Sequence, residues 1–230
     1  MDYRDRHVVV TGGTGALGRA VVDKLIAGGA TCHVPALNEK EIQNSPFRDH
    51  PQVKISADGD LSDEAAVARL FGSVPQLWAS IHIAGGFAAA PVAETGKADL
   101  MRQVDMNFVT CFLCCAAAVK AMKNGGRIVN VAARPALEWR SGAGMAAYTA
   151  SKAAVAALTV ALAEEVAKQG ILVNAIAPSI MDTPANRQAM PKADFSAWPK
   201  VEEVAATILF LASPENKVTR GAVVPVYGRS

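Results

Sequence analysis

Histidine and cysteine, the residues most often found in metal and nucleophilic centres, are sparse here: four of each in 230 residues. Cys111, Cys114 and Cys115 crowd one short stretch, which is not the layout of a disulfide framework. Their spacing is half a metal site, but no second ligand pair follows and the stretch is apolar. The thiols therefore read as small buried hydrophobes, and no metal is expected. His7, His33, His50 and His82 fall on strands or a loop, none paired with a nucleophile, so no histidine is taken as catalytic. Charge is also scant, at 19% of residues with a net +2. The basic residues are scattered, which argues against nucleic acid as a partner. No apolar run reaches the ~18 residues that a membrane span needs. Met1 to His7 is charged and leads straight into a strand, unlike a secretory signal. The expectation is a cytoplasmic protein that acts on a small molecule and binds neither membrane nor nucleic acid.

What the chain has is alternation. Apolar residues make up 51%, enough in a chain of this length for one sizeable core without disulfides. Short runs rich in Val and Ile, His7–Val10, Ala30–Pro35, Gln52–Ser56, Leu77–Ala84, Arg127–Val131, Ile171–Ala177 and Ala222–Val226, read as strands. Between them lie helical segments, Ala16–Ala27, Asp63–Phe71 with Ser62 as its cap, Lys97–Lys123, Ala146–Gln169 and Lys200–Leu211. Strand and helix in turn imply a doubly wound parallel sheet of about seven strands, with helices on both faces, in the Rossmann manner. No domain boundary, repeat or low-complexity tract is visible. One domain spans 1–230, with 1–135 expected to serve a cofactor and 136–230 catalysis and substrate. The proline-bearing stretch Ser179–Pro199 reads as a surface loop or a lid.

The first strand runs into Thr11-Gly12-Gly13-Thr14-Gly15-Ala16-Leu17-Gly18 and then a helix. A G-x-G-x-x-G pattern between strand and helix suits a dinucleotide. The glycines let backbone approach a pyrophosphate, and the helix N-terminus offers unpaired N–H groups and the positive dipole end. The position that reads the adenosine ribose, about 20 residues on, has neither an acid nor an arginine. It reads Val34-Pro35-Ala36-Leu37-Asn38, with Asn38 and Lys40 as the nearest substitutes. The cofactor is therefore NAD(H) or NADP(H). After the third strand, Asp60-Leu61 is placed to hold an adenine; Asp60 serves equally well as a helix-capping carboxylate.

Tyr148-Thr149-Ala150-Ser151-Lys152 opens a long helix, and the spacing of four puts Tyr148 and Lys152 on one face. An ammonium near a phenol favours tyrosinate and brings its pKa toward the range of proton transfer. These motifs, taken together and in order, resemble the short-chain dehydrogenase/reductase family over nearly the whole chain. Thr11–Gly18 is similar to its cofactor loop, Ala84-Gly85 to the motif after its fourth strand, and Asn107 to its helix asparagine. Tyr148-x-x-x-Lys152 is similar to its catalytic pair, and Pro178 through Ile180 and Thr183 to its nicotinamide-contacting turn. The resemblance implies that Tyr148 donates a proton to substrate and that Lys152 lowers its pKa and holds the nicotinamide ribose. It also implies that Asn107 supports a water relay at a helix kink and that Thr183 meets the nicotinamide. It implies a homodimer or homotetramer as well, consistent with two helices that are apolar on more than one face.

Departures from the family pattern bear on chemistry. Its carbonyl-polarising serine falls at Ala133, the asparagine before Ala84-Gly85 is Ile83, and a loop glycine is Ala16. Ser141 is a candidate replacement for the missing hydroxyl. The dihydropteridine reductase branch shows similar departures and resembles Gly12–Gly18, Ala84-Gly85-Gly86-Phe87 and Asp182 through Trp198. That likeness implies a quinonoid or conjugated ring as substrate. Phe87, Trp139 and Trp198 would then line a flat pocket with Ala133 and Tyr148, or else serve in ordinary packing. The alternatives are a ketone or 3-oxoacyl-type carbonyl reductase with a substituted serine, and a cofactor-binding protein with weak or no turnover.

Overall fold

The computed structural model describes residues 1–230. Seven strands form one sheet: β1 (His7–Thr11), β2 (Thr31–Pro35), β3 (Val53–Ser56), β4 (Leu77–His82), β5 (Gly126–Val131), β6 (Ile171–Pro178) and β7 (Val223–Val226). All pairings are parallel and the order is β3-β2-β1-β4-β5-β6-β7. Side chains of a strand alternate between faces, and here both faces are covered. Val8 and Val10 enter one core and Val9 the other; Val129 and Ile128 divide in the same way. Fully burying each such side chain contributes roughly 1.5–3 kcal/mol relative to exposure. Pro225 sits in β7, an edge strand, where a missing N–H is tolerated.

Helices α1 (Ala16–Ala27) and α9 (Val201–Ala212) cover one face. Helices α3 (Glu64–Gly72), α5 (Thr110–Ala121) and α7 (Ala146–Glu165) cover the other. Four shorter helices complete the chain: α2 (Glu39–Gln43), α4 (Lys97–Val104), α6 (Arg134–Leu137) and α8 (Pro184–Ala189). Three expectations are corrected. The cap of α3 is Asp63, whose carboxylate accepts from Ala65 N–H at 3.0 Å, rather than Ser62. The helix expected over Lys97–Lys123 is α4 and α5 separated by one π-helical turn, Asp105–Val109. Such a turn holds an extra residue and kinks the axis. Within 179–199, α8 and a 3₁₀ turn, Phe195–Ala197, replace what reads as a loop.

Two helical stretches, Lys97–Ala121 and Ala146–Glu165, are long and apolar enough to cross a membrane, with mean hydropathies of 1.5 and 1.4. Both lie along the sheet instead, burying Cys111, Cys114, Cys115 and Ala118 from α5 and Val155, Leu162 and Ala163 from α7.

Candidate active site

The chain leaves β1 toward β2 and β3, then returns to add β4 on the other side of β1. The reversal opens a crevice at the carboxyl ends of β1 and β4, where doubly wound sheets bind ligands. It holds a cavity of about 700 Å³. Its lining includes Gly12, Thr14, Gly15, Ala16, Leu17 and Gly18 after β1, Asp60 and Leu61 after β3, and Ala84 and Gly85 after β4. Gly12 has φ +68°, open to glycine, and a Cβ there would lie 2.8 Å from Ala84 N. A Cβ at Gly18 would lie 2.0 Å from Gly12 O, so only glycine lets α1 start this close to the turn. The N–H groups of Ala16, Leu17 and Gly18 take no backbone or side-chain acceptor, no side chain caps α1, and no acid stands in its first turn. The donors, the bare backbone and the cavity fit a dinucleotide pyrophosphate. Asp60 Oδ1 accepts from Ser62 N–H at 2.9 Å in the turn before α3, so it does not cap that helix, and the residue lines the cavity. Lys152, Pro178, Ile180 and Thr183 lie outside this lining. Thr183 is buried and its Oγ1 caps α8, accepting from Asn186 N–H at 3.2 Å.

Two of the expected chemical groups, Asn107 and Lys152, converge beside Gly85, and Tyr148 packs on Phe87 two residues along. A Cβ on that glycine would lie 2.5 Å from Asn107 Oδ1 and 3.4 Å from Lys152 Nζ. Asn107 sits on the π turn and holds the loop after β4 at Gly86: its Oδ1 accepts from Gly86 N–H at 3.1 Å and its Nδ2 donates to Gly86 O at 3.1 Å. The kink that the family resemblance implies is this turn, and here the side chain itself is committed to Gly86. Lys152 is buried and donates to Val131 O at 2.9 Å. Burial brings its pKa down to about 8. Tyr148 lies half-buried with Phe87 edge-on at 5.0 Å between ring centroids. Its pKa is pushed up to about 12 by burial. The expected lowering by Lys152 is not present: burial alone sets the direction of the shift, and the Lys152 ammonium is bonded to the Val131 carbonyl.

Ala133 is buried at the end of β5 as the N-cap of α6, so no hydroxyl occupies the serine position. Ser141 does not replace it: its Oγ is exposed and donates to Glu138 O at 2.8 Å. Phe87 and Trp139 are 62% and 75% exposed, free to meet a ligand. Trp198 does not join them. It is buried against Phe195 and lines a separate cavity of about 510 Å³ with Asp182, Arg187, Lys200 and Arg229.

Sequence reasoning missed two features. Glu41 lines the main cavity from α2, a helix too short to show a period. His82, set aside as far from any nucleophile, has Nδ1 3.5 Å from Cys115 Sγ, and with Cys111 the three sit close enough to hold a metal. Both ring nitrogens are already partnered, Nε2 with Ser80 Oγ at 2.7 Å and Nδ1 with Asn130 Oδ1 at 2.8 Å. The group reads as a satisfied polar network in the core.

A parallel sheet with a glycine-lined crevice and a Tyr–Lys pair beside it defines a dinucleotide-dependent α/β enzyme. The sequence family described as short chain dehydrogenase matches residues 6–194, and the chain belongs to that family. It is similar, at 31% identity over 96% of this chain and 93% of the relative, to 3beta-hydroxysteroid dehydrogenase of Mediterraneibacter gnavus. It is 32% identical, over 98% of this chain and 95% of the relative, to 2-dehydro-3-deoxy-L-rhamnonate dehydrogenase (NAD(+)) of a Sphingomonas species. Among solved structures, a blue fluorescent protein from a metagenomic library in complex with NADPH superposes with a TM-score of 0.88 at 27% identity, covering 99% of this chain and 98% of that one. The chain is thus an NAD(P)-dependent oxidoreductase of the short-chain type. These relatives do not single out the dihydropteridine reductase branch.

Proposed function

We propose that this oxidoreductase reduces an electron-poor centre, carbon or imine nitrogen, in a conjugated ring, quinonoid dihydropterins among the substrates, with Tyr148 as proton donor. The observation that carries the reading is the bare end of β5: Ala133 has no hydroxyl and Ser141 is turned to a carbonyl of its own loop. A positioned donor at a developing oxyanion is worth about 10²–10³ in rate. A site lacking one favours substrates whose electrons are already withdrawn. Exposed Phe87 and Trp139 offer aromatic faces to a flat ring.

In such a reduction a bound nicotinamide would supply the hydride, to carbon in a ring or ketone and to the imine nitrogen in a quinonoid dihydropterin. Tyr148 gives its phenolic proton to the adjoining oxygen or nitrogen, completing a two-electron reduction. Its raised pKa keeps the phenol protonated, and able to donate, through neutral pH. Lys152, four residues on along the same helix and charged below about pH 8, would oppose the negative charge left on the phenolate once its ammonium turns from the Val131 carbonyl. Asn107 fixes the Gly85-Gly86 loop, with Lys152 set against Gly85 and Tyr148 against the neighbouring Phe87.

A second reading, reduction of unactivated ketones or oxidation of the matching alcohols, is favoured by the relatives, which are named as dehydrogenases of a hydroxysteroid and a sugar acid. Weak or absent turnover is disfavoured by the Tyr148–Lys152 pair. NADH and NADPH oxidation against quinonoid dihydropterin, quinones and plain ketones separates them, run on the wild type and on Ala133→Ser. Turnover of the conjugated substrates is expected, with slow reduction of plain ketones that Ala133→Ser accelerates by up to about 10²-fold. Fast wild-type reduction of plain ketones would establish the second reading instead.

A further inference from the structure

The relatives use either cofactor form by name, NAD(+) in one and NADPH in another, and the residue that normally decides is missing from the end of β2. We infer that Glu41 takes over that place and that this chain selects NADH. The inference rests on the oxidoreductase reading and adds which dinucleotide serves it.

Glu41 reaches the same cavity as the glycine turn. Its Oε2 accepts from Leu37 N–H at 3.1 Å and from Thr14 Oγ1 at 3.3 Å. The carboxylate is therefore pinned between the end of β2 and the phosphate turn, the two elements that flank the adenosine ribose in this fold. Helix α2 holds it there, because Asn38 Oδ1 caps the N–H of Glu41 itself at 3.1 Å. Asn38, the nearest substitute by sequence, is spent on that cap. The second carboxylate oxygen has no partner in the protein. A carboxylate accepts only, so it suits the two hydroxyl donors of a ribose diol. No cation neutralises it. Arg19 donates to Thr14 O at 2.8 Å and toward Asn44 O, and Arg102 pairs with Asp99 at 3.2 Å. A 2′-phosphate placed here meets an uncompensated negative charge.

Direct binding, followed by nicotinamide fluorescence, tests this on the wild type and on Glu41→Gln. Adenosine 5′-monophosphate and adenosine 2′,5′-bisphosphate serve as competing probes that need no turnover. The wild type should bind NADH about 100-fold more tightly than NADPH, the scale of a close like-charge contact. Glu41→Gln keeps an oxygen for Leu37 N–H and should shrink that ratio at least tenfold, chiefly by tightening NADPH, with the melting temperature unchanged. NADPH binding as tight as NADH in the wild type overturns the assignment and leaves the oxidoreductase reading intact. An NADH preference that survives in Glu41→Gln overturns it as well. Failure of both dinucleotides to bind overturns the oxidoreductase reading and this inference with it.

Discussion

Two glycines three residues apart in the phosphate turn should fail in opposite ways when given a methyl group. At Gly18 a Cβ would sit 2.0 Å from Gly12 O, 2.6 Å from Gly13 Cα and 2.7 Å from Gly12 C, all backbone. No flexible side chain is there to move aside, so α1 or the turn must shift. Overpacking of this kind costs about 1–3 kcal/mol or more. For a chain of this size that lowers the melting temperature by roughly 2–10 °C. At Gly15 the one neighbour is Gly12 O at 3.4 Å, and φ is −81°, which alanine adopts freely. Losing glycine as N-cap costs under about 1 kcal/mol, and the stiffer unfolded chain gives a similar amount back. Gly15→Ala should therefore melt within a degree or two of the wild type. Its methyl would, however, stand in the cavity where the pyrophosphate approaches, and cofactor affinity should fall at least tenfold, about 1.4 kcal/mol. Thermal shift with and without NADH measures both quantities in one experiment. The refuting result is a Gly15→Ala protein that binds cofactor as the wild type does, for then no phosphate lies against this turn.

Tyr148→Phe keeps the ring beneath Phe87 and removes the proton, so steady-state reduction should fall by about 10²–10⁴ while the dissociation constant for cofactor stays within a factor of three; unchanged turnover would assign the proton to solvent. Lys152 should make activity and stability respond oppositely to alkali. Reduction should decline with an apparent pKa near 8 as the ammonium is lost. Between about 8 and the ordinary lysine value of 10.5 the unfolded chain binds more protons than the folded one, so unfolding free energy should rise with pH. Denaturant titrations at pH 7.5 and 9.5 on wild type and Lys152→Met check it, and an equal pH response in the two proteins removes the lysine as its source. Exposed Leu100, Met101, Phe112 and Val160 on α4, α5 and α7 lead us to expect a homodimer or homotetramer; light scattering that reports a monomer at micromolar concentration contradicts it.

The sheet and its helices were legible because each core strand is short, apolar and bounded by glycine or polar residues, and because both faces are buried. The phosphate turn was legible because its glycines, Gly12, Gly13, Gly15 and Gly18, fall close together in sequence between a strand and a helix. Glu41 was not. It lies on a five-residue helix, and its role comes from bonds to Leu37 and Thr14 that cross between elements. The break in the Lys97–Lys123 helix was legible only through the family resemblance at Asn107, since a π turn inserts a residue without a glycine or proline to announce it. Trp198 was grouped with Phe87 and Trp139 by residue type alone, and the fold buries it elsewhere. The shift of Lys152 toward Val131 could not be read from a spacing of four, because spacing sets a shared face and says nothing about which acceptor lies under it.

The strand order also sets the timetable of folding. β1 pairs with β2, its neighbour in sequence, but its other edge waits for β4, where His7 meets Leu77 almost a third of the chain later. Closing so long a loop before the contact gains anything makes parallel pairings slow. The β1–β2–β3 unit carries the glycine turn, yet the opposite wall of the crevice, Ala84 and Gly85, arrives only when β4 docks. A nascent chain should therefore acquire cofactor affinity in one late step. Until then β1 presents an open apolar edge, and it is in this interval that a chaperone has something to hold.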